Sequence, residues 1–64
     1  MDVAGTIAKF RRKKGWTQAE LAEITGLSRG YIAAIEQGRK IPAPKTLVII
    51  AEGLGAAVDE LKKG

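Results

Sequence analysis

Apolar side chains recur along this chain at spacings of three and four, the period of a helix with one buried face. Val3, Ile7 and Phe10 mark a first helix from about Val3 to Lys14, whose last turn, Arg11-Arg12-Lys13-Lys14, complements the negative end of the helix dipole. Gly15 ends it. A second helix starts at Thr17, with Glu20 three residues on, the spacing of a capping box. Leu21, with Ile24 or Thr25, supplies its buried face, and Gly26 stops it. A third starts at the N-cap Ser28 and runs to about Gln37, with Ile32, Ile35 and Tyr31 turned inward and Gly38 after it. Its third position is Tyr31, so no capping box forms there. Pro42 and Pro44 break the loop from Arg39 to Ala43, and Pro44 suits the first turn of a fourth helix. That helix carries Leu47, Ile50, Ala51 and Leu54 at core spacing and ends at Gly55. A fifth, from about Ala57 to Lys62, adds Val58 and Leu61. The expected fold is all-α, with five short helices. Gly53, inside the fourth helix, costs about 1 kcal/mol relative to Ala and has no explanation at this level.

Composition narrows the chemistry. The chain has 64 residues, and residues 1–64 are expected to form a single domain. A domain of this size buries only about 60% of its unfolded surface. There is no cysteine and no histidine, which removes disulfides, thiolate ligands and the commonest general base. We expect no metal and no cofactor. Aromatic residues are few (Phe10, Trp16 and Tyr31), which suits packed helices. The longest apolar stretch, Leu47 to Ala51, is far short of the roughly 20 residues that span a bilayer. No basic segment precedes an apolar run at the N-terminus, so no signal peptide is expected. The expected compartment is the cytoplasm, in association with the nucleoid, and no membrane partner or small-molecule substrate is expected.

Charge points to a partner. The formal net charge is +4, but its placement is uneven. Between Lys9 and Lys45 stand nine basic residues and only three acidic ones, Glu20, Glu23 and Glu36. A basic surround of this kind favours a polyanion.

The informative unit is Gln18 to Ile35, QAELAEITGLSRGYIAAI. Two helices of about eight residues are joined by a very short turn holding Gly26. Ala22 is small where the second helix approaches the third, and Ile32 and Ile35 brace the third from behind. This spacing suits two helices crossing at about 90–120°. The run FRRKKGWTQAELAEITGLSRGYIAAIEQGRKIP, followed by TLVIIAEGLGAAVDEL, resembles the phage lambda repressor and Cro-like (XRE) family, over about Ile7 to Leu61. The resemblance implies a compact five-helix domain with a helix-turn-helix at about residues 17–37 and the third helix in the major groove of double-stranded DNA. It implies a dimeric transcription regulator, most often a repressor, on a pseudo-palindromic operator. The dimer contact is expected from the C-terminal helices.

Roles follow residue by residue from that resemblance. Thr17 and Gln18 open the second helix, where relatives contact phosphate and where exposed N–H groups attract it. Ser28, Arg29 and Gly30 open the recognition helix, and Arg29 has the chemistry for a bidentate guanine contact. Ala33 and Ala34 are expected to face outward where many relatives carry longer polar readers, a departure that leaves only methyl contacts. Tyr31 has two readings, a ring that packs while its hydroxyl meets phosphate, or a core aromatic with a wet tip. Arg39, Lys40 and Lys45 match phosphate-contacting positions. Arg11 and Glu36 match a partly buried ion pair tying the first helix to the third. Ala57 stands where relatives often have a Ser or Thr cap, so the fifth helix is expected to fray. Trp16 is expected to lie over the edge of the core.

Catalysis is not expected. Ser28 and Thr17 already serve as caps, and no phosphate-binding loop or metal-ligand cluster is visible. The rival reading is a protein-interaction or antitoxin module on the same fold, because fold does not fix function.

Overall fold

A computed structural model describes residues 3–63. Five helices follow in order, α1 (Val3–Lys13), α2 (Gln18–Thr25), α3 (Arg29–Glu36), α4 (Pro44–Leu54) and α5 (Val58–Lys63). No strand occurs among the described residues, and none of their helices is long and apolar enough to cross a membrane.

Each boundary has a local cause. The Glu20 N–H donates to Thr17 Oγ1 at 3.1 Å and the Thr17 N–H to Glu20 Oε1 at 2.7 Å, which closes a capping box at the head of α2. α2 ends at Gly26, whose φ of 75° is a conformation L side chains rarely adopt. The Leu27 N–H then returns to Ala22 O at 3.1 Å, satisfying a carbonyl that the helix ladder leaves open. Ser28 caps α3 by accepting the Tyr31 N–H at 3.1 Å. Only two residues therefore separate α2 from the cap of α3, and the chain has no room to do anything but turn.

The inward faces meet in one core. Ile7, Leu21, Ile32, Ile35, Ile50, Leu54 and Leu61 are each fully buried, and Phe10, Trp16, Leu27, Tyr31 and Val58 pack around them half-buried. Fully burying a side chain of this class contributes about 1.5–3 kcal/mol, so this short chain depends on nearly every one. On α2 the structure chooses between the two residues that the spacing left open. Ile24 is exposed, and Thr25 takes the inner position with its hydroxyl donated to Leu21 O at 2.8 Å.

The same contact explains Gly53. A Cβ there would stand 2.9 Å from Thr25 Cγ2 and 3.3 Å from Ile24 Cγ2. Close crossing of α2 over α4 therefore excludes a side chain at position 53. Thr25 cannot turn away without breaking its hydroxyl bond. Gly53→Ala should destabilise the fold, because overpacking of about 1–3 kcal/mol outweighs the gain of about 1 kcal/mol in helix propensity. In a Thr25→Ser background the clashing methyl is gone, and the same substitution should be neutral or stabilising. Urea unfolding of the four variants measures both effects.

α5 is better anchored than its sequence suggests. The Ala57 N–H donates to Glu60 Oε1 at 2.8 Å, half of a capping box made without a Ser or Thr. Leu61 is fully buried one residue further on. The expected fraying overlooked Glu60, which caps from inside the helix.

Candidate nucleic-acid interface

Most of the residues singled out above are exposed. Ser28, Arg29 and Gly30 are exposed at the head of α3. Its first N–H groups have no partner within the helix ladder, and that end carries the positive pole of the dipole. Yet the first turn of α3 contains no acidic residue, and Arg29 sits at its first position. α4 repeats the arrangement, with Lys45 at its second position and no acid in its first turn. A cation at a helix N-terminus is disfavoured by about 0.3–1 kcal/mol. Neither residue gains anything from its own helix, and both gain from an anion brought to it. Arg39 and Lys40 are exposed in the loop from the tail of α3 to the head of α4.

Gly30 adds an independent sign. A Cβ there would meet nothing within 4 Å, and no positive φ requires glycine. Glycine inside a helix costs about 1 kcal/mol relative to Ala, and nothing within the chain offsets that. It leaves the α3 backbone uncovered at the second position of the helix.

One expected position is corrected. Ala34 is buried, at 5% exposure, and cannot meet a base edge. It lies about 100° round the helix from Ala33, and its carbonyl accepts the Arg39 and Lys40 N–H groups at 2.9 and 3.3 Å, where the loop folds back over the end of α3. Ala33 is half-buried on the outward side, and Tyr31 is half-buried against the core. Gln37 is a residue that the sequence reading passed over. It is exposed four residues beyond Ala33 and eight beyond Arg29, a row that drifts about 40° round the helix at each step of four.

Arg11 and Glu36 form a buried ion pair. Arg11 Nε donates to Glu36 Oε2 at 2.8 Å and Nη2 to Glu36 Oε1 at 3.0 Å, a bidentate contact. Arg11 Nη1 donates to the carbonyl of Trp16 at 2.6 Å. Gln18 Nε2 donates to Glu36 Oε1 at 3.1 Å. The two charged side chains are only 9% and 4% exposed. α1, the turn after it, the head of α2 and the tail of α3 are thus tied at one point. Burial alone would raise the Glu36 carboxyl. The bonds from Arg11 and Gln18, with the charges of Arg11 and Arg12, outweigh burial and hold it below the usual carboxylate range. Its bond to Glu36 raises the Arg11 pKa further, against desolvation.

The network changes the reading of Gln18. Its side-chain amide donates to Glu36, and its backbone N–H stands at the open head of α2. Trp16 is half-buried over the core edge, with Lys14 Nζ 5.6 Å from its ring centroid.

Beside the same loop, on the flank of the molecule, an apolar cleft of about 560 Å³ is lined by Val3, Pro42, Pro44, Leu47, Val48, Val58 and Lys62, with Ile41 at its edge. Ile41 is 93% exposed.

Comparison with known proteins agrees with this architecture. The helix-turn-helix family HTH_3 matches residues 7–61. An uncharacterized HTH-type transcriptional regulator, y4dJ, of Sinorhizobium fredii is 39% identical over 59 residues, covering 92% of this chain and 77% of that protein. The immunity repressor of Bacillus phage phi105 is 39% identical over 61 residues, covering 95% of this chain but 42% of the repressor. Among solved structures, the hypothetical transcription factor NHTF from Neisseria superimposes with a TM-score of 0.89 at 39% identity, over 92% of this chain and 68% of that one. SinR, a master regulator for biofilm formation solved in complex with DNA, gives 0.89 at 28% identity, over 94% and 97%. A match across nearly the whole chain, by sequence and by fold, means that this protein belongs to the helix-turn-helix family of HTH_3 type.

Proposed function

We propose that this chain binds double-stranded DNA, with α3 in the major groove, and acts as a transcriptional repressor. The observation that carries the reading is the pair of helix heads bearing Arg29 and Lys45, with no acid in either first turn. Their placement disfavours the isolated protein and favours a phosphate backbone. In this reading Ser28, Arg29, Gly30 and Ala33 face base edges, with the ring of Tyr31 at their margin. Thr17, the head of α2 at Gln18, Arg39, Lys40 and Lys45 hold phosphates. The role is regulatory and not enzymatic, and it needs no cofactor.

The reading extends to a homodimer in which the C-terminal helices meet. Ile41 and the cleft beside α4 and α5 give that face an apolar surface which a two-fold contact buries on both copies. The target is then a pseudo-palindrome with half-sites about one turn apart, roughly 34 Å.

Salt titration of duplex binding tests the proposal. Log K should fall linearly with log[salt], at about −0.9 per neutralised phosphate. Lys40→Ala should weaken binding evenly across sequences and reduce that slope by about one. A flat salt dependence, or no retained duplex in dilute buffer, would overturn DNA binding and favour a protein partner on the same face.

A further inference from the structure

We propose that Gln37 is a second sequence-reading residue, oriented by Arg39, an inference that rests on the DNA-binding reading above. Arg29, Ala33 and Gln37 recur every four residues on α3, a row that winds about 80° round the helix from the first to the last, with Arg29 and Gln37 exposed and Ala33 half-buried. Two long hydrogen-bonding side chains thus flank a short centre, Gly30 and Ala33, that lets the helix sit deep in a groove. Gln37 is the C-cap of α3, in helical conformation, with its N–H bonded to Ala33 O and that of Gly38 to Ile35 O. Its backbone is therefore fixed, although its side chain faces solvent.

A surface contact orients its amide. Arg39 Nε donates to Gln37 Oε1 at 2.8 Å. A guanidinium has donors and no acceptor, so the amide must turn its oxygen to Arg39 and its NH₂ away. A free glutamine recognises adenine by using its oxygen and its nitrogen together. With the oxygen engaged, Gln37 presents donors, which suit an acceptor edge such as guanine O6 and N7 or thymine O4. Arg39 keeps its terminal nitrogens for phosphate, so one residue both anchors the loop to the backbone and sets the amide of its neighbour. Eight residues separate Arg29 from Gln37, about 12 Å along the helix at 1.5 Å per residue. That is about three to four base pairs at 3.4 Å each.

The test is selection from a random duplex library with the intact chain and with Arg29→Ala, Gln37→Ala and Arg39→Ala. Gln37→Ala should lose preference at one base pair per half-site, three to four pairs from the one relaxed by Arg29→Ala. Discrimination there should fall about 5- to 150-fold, the range for one good side-chain-to-base contact. Arg39→Ala should admit adenine at that same base pair, a change that loss of a phosphate contact alone does not produce. Gln37 is exposed, so the thermal midpoint of its variant should match the parent. The inference fails if Gln37→Ala lowers affinity equally on all sequences, or if Arg39→Ala leaves that base pair unchanged. A parent chain that enriches no site overturns DNA binding and this inference together. An enriched site indifferent to Gln37 overturns only the inference.

Discussion

Arg11→Met should cost about 3–5 kcal/mol of stability, and Glu36→Gln a similar amount, because each leaves one buried charge without its partner. The pair is 9% and 4% exposed at its side chains and bidentate, so solvent screens it little. A surface pair would contribute below about 1 kcal/mol. For a chain of 64 residues, total stability of about 0.05–0.15 kcal/mol per residue is about 3–10 kcal/mol. Either single variant is therefore expected to lose about a third or more of that stability. Replacing both residues with Met should restore much of the loss, since an apolar pair leaves no stranded charge. Urea midpoints of the three variants give the answer, and single variants near the parent midpoint would show that the network contributes little.

The same network predicts a pH dependence with a definite sign. The Glu36 carboxyl is held below its ordinary range in the folded protein. Its contribution is then fully present above the unfolded value of about 4.3 and is lost as pH falls through the lower, folded value. Acid should therefore destabilise the parent more steeply than Glu36→Gln, which has no proton to take up at that site. Equal slopes for parent and variant below about pH 4 would contradict the assignment.

Arg29→Ala should remove about 1–3 kcal/mol of discrimination at one base pair while leaving the fold intact. Among the described residues no side-chain bond of Arg29 is seen, and it sits at the first position of α3, on the positive pole of that helix. Its removal should even relieve an unfavourable dipole contact of about 0.3–1 kcal/mol. A binding residue that slightly destabilises its own fold is recognised by this opposition: thermal stability unchanged or raised, specificity lowered. Affinities for selected and scrambled duplexes separate the outcomes. Equal weakening on both would assign Arg29 to phosphate and not to a base.

Much of this architecture was legible before any coordinates. The five helices, the caps Thr17 and Ser28 and the stop at Gly26 rest on signals that act within one turn of chain. Such signals are complete in a short window of sequence. The braces Ile32 and Ile35 follow from helical period alone. By contrast, Ile24 and Thr25 are neighbours of similar reach, and period does not choose between them when both lie near the margin of the buried face. Alanine carries even less information, so the burial of Ala34 could not be told from the outward position of Ala33.

What the sequence determined by itself is therefore the set of elements and their caps, since each depends on residues within about four positions of one another. What only the tertiary structure decided is which surfaces touch: Gly53 against Thr25, Gln18 turned to Glu36, the loop closing over Ala34, and the amide of Gln37 set by Arg39. Two of these contacts, Gly53 with Thr25 and Gln18 with Glu36, join residues brought together by the crossing of helices, the latter 18 positions apart, as are Arg11 and Glu36, 25 apart. Crossing geometry is fixed by the packing of all five helices at once, and no local window of the chain contains it.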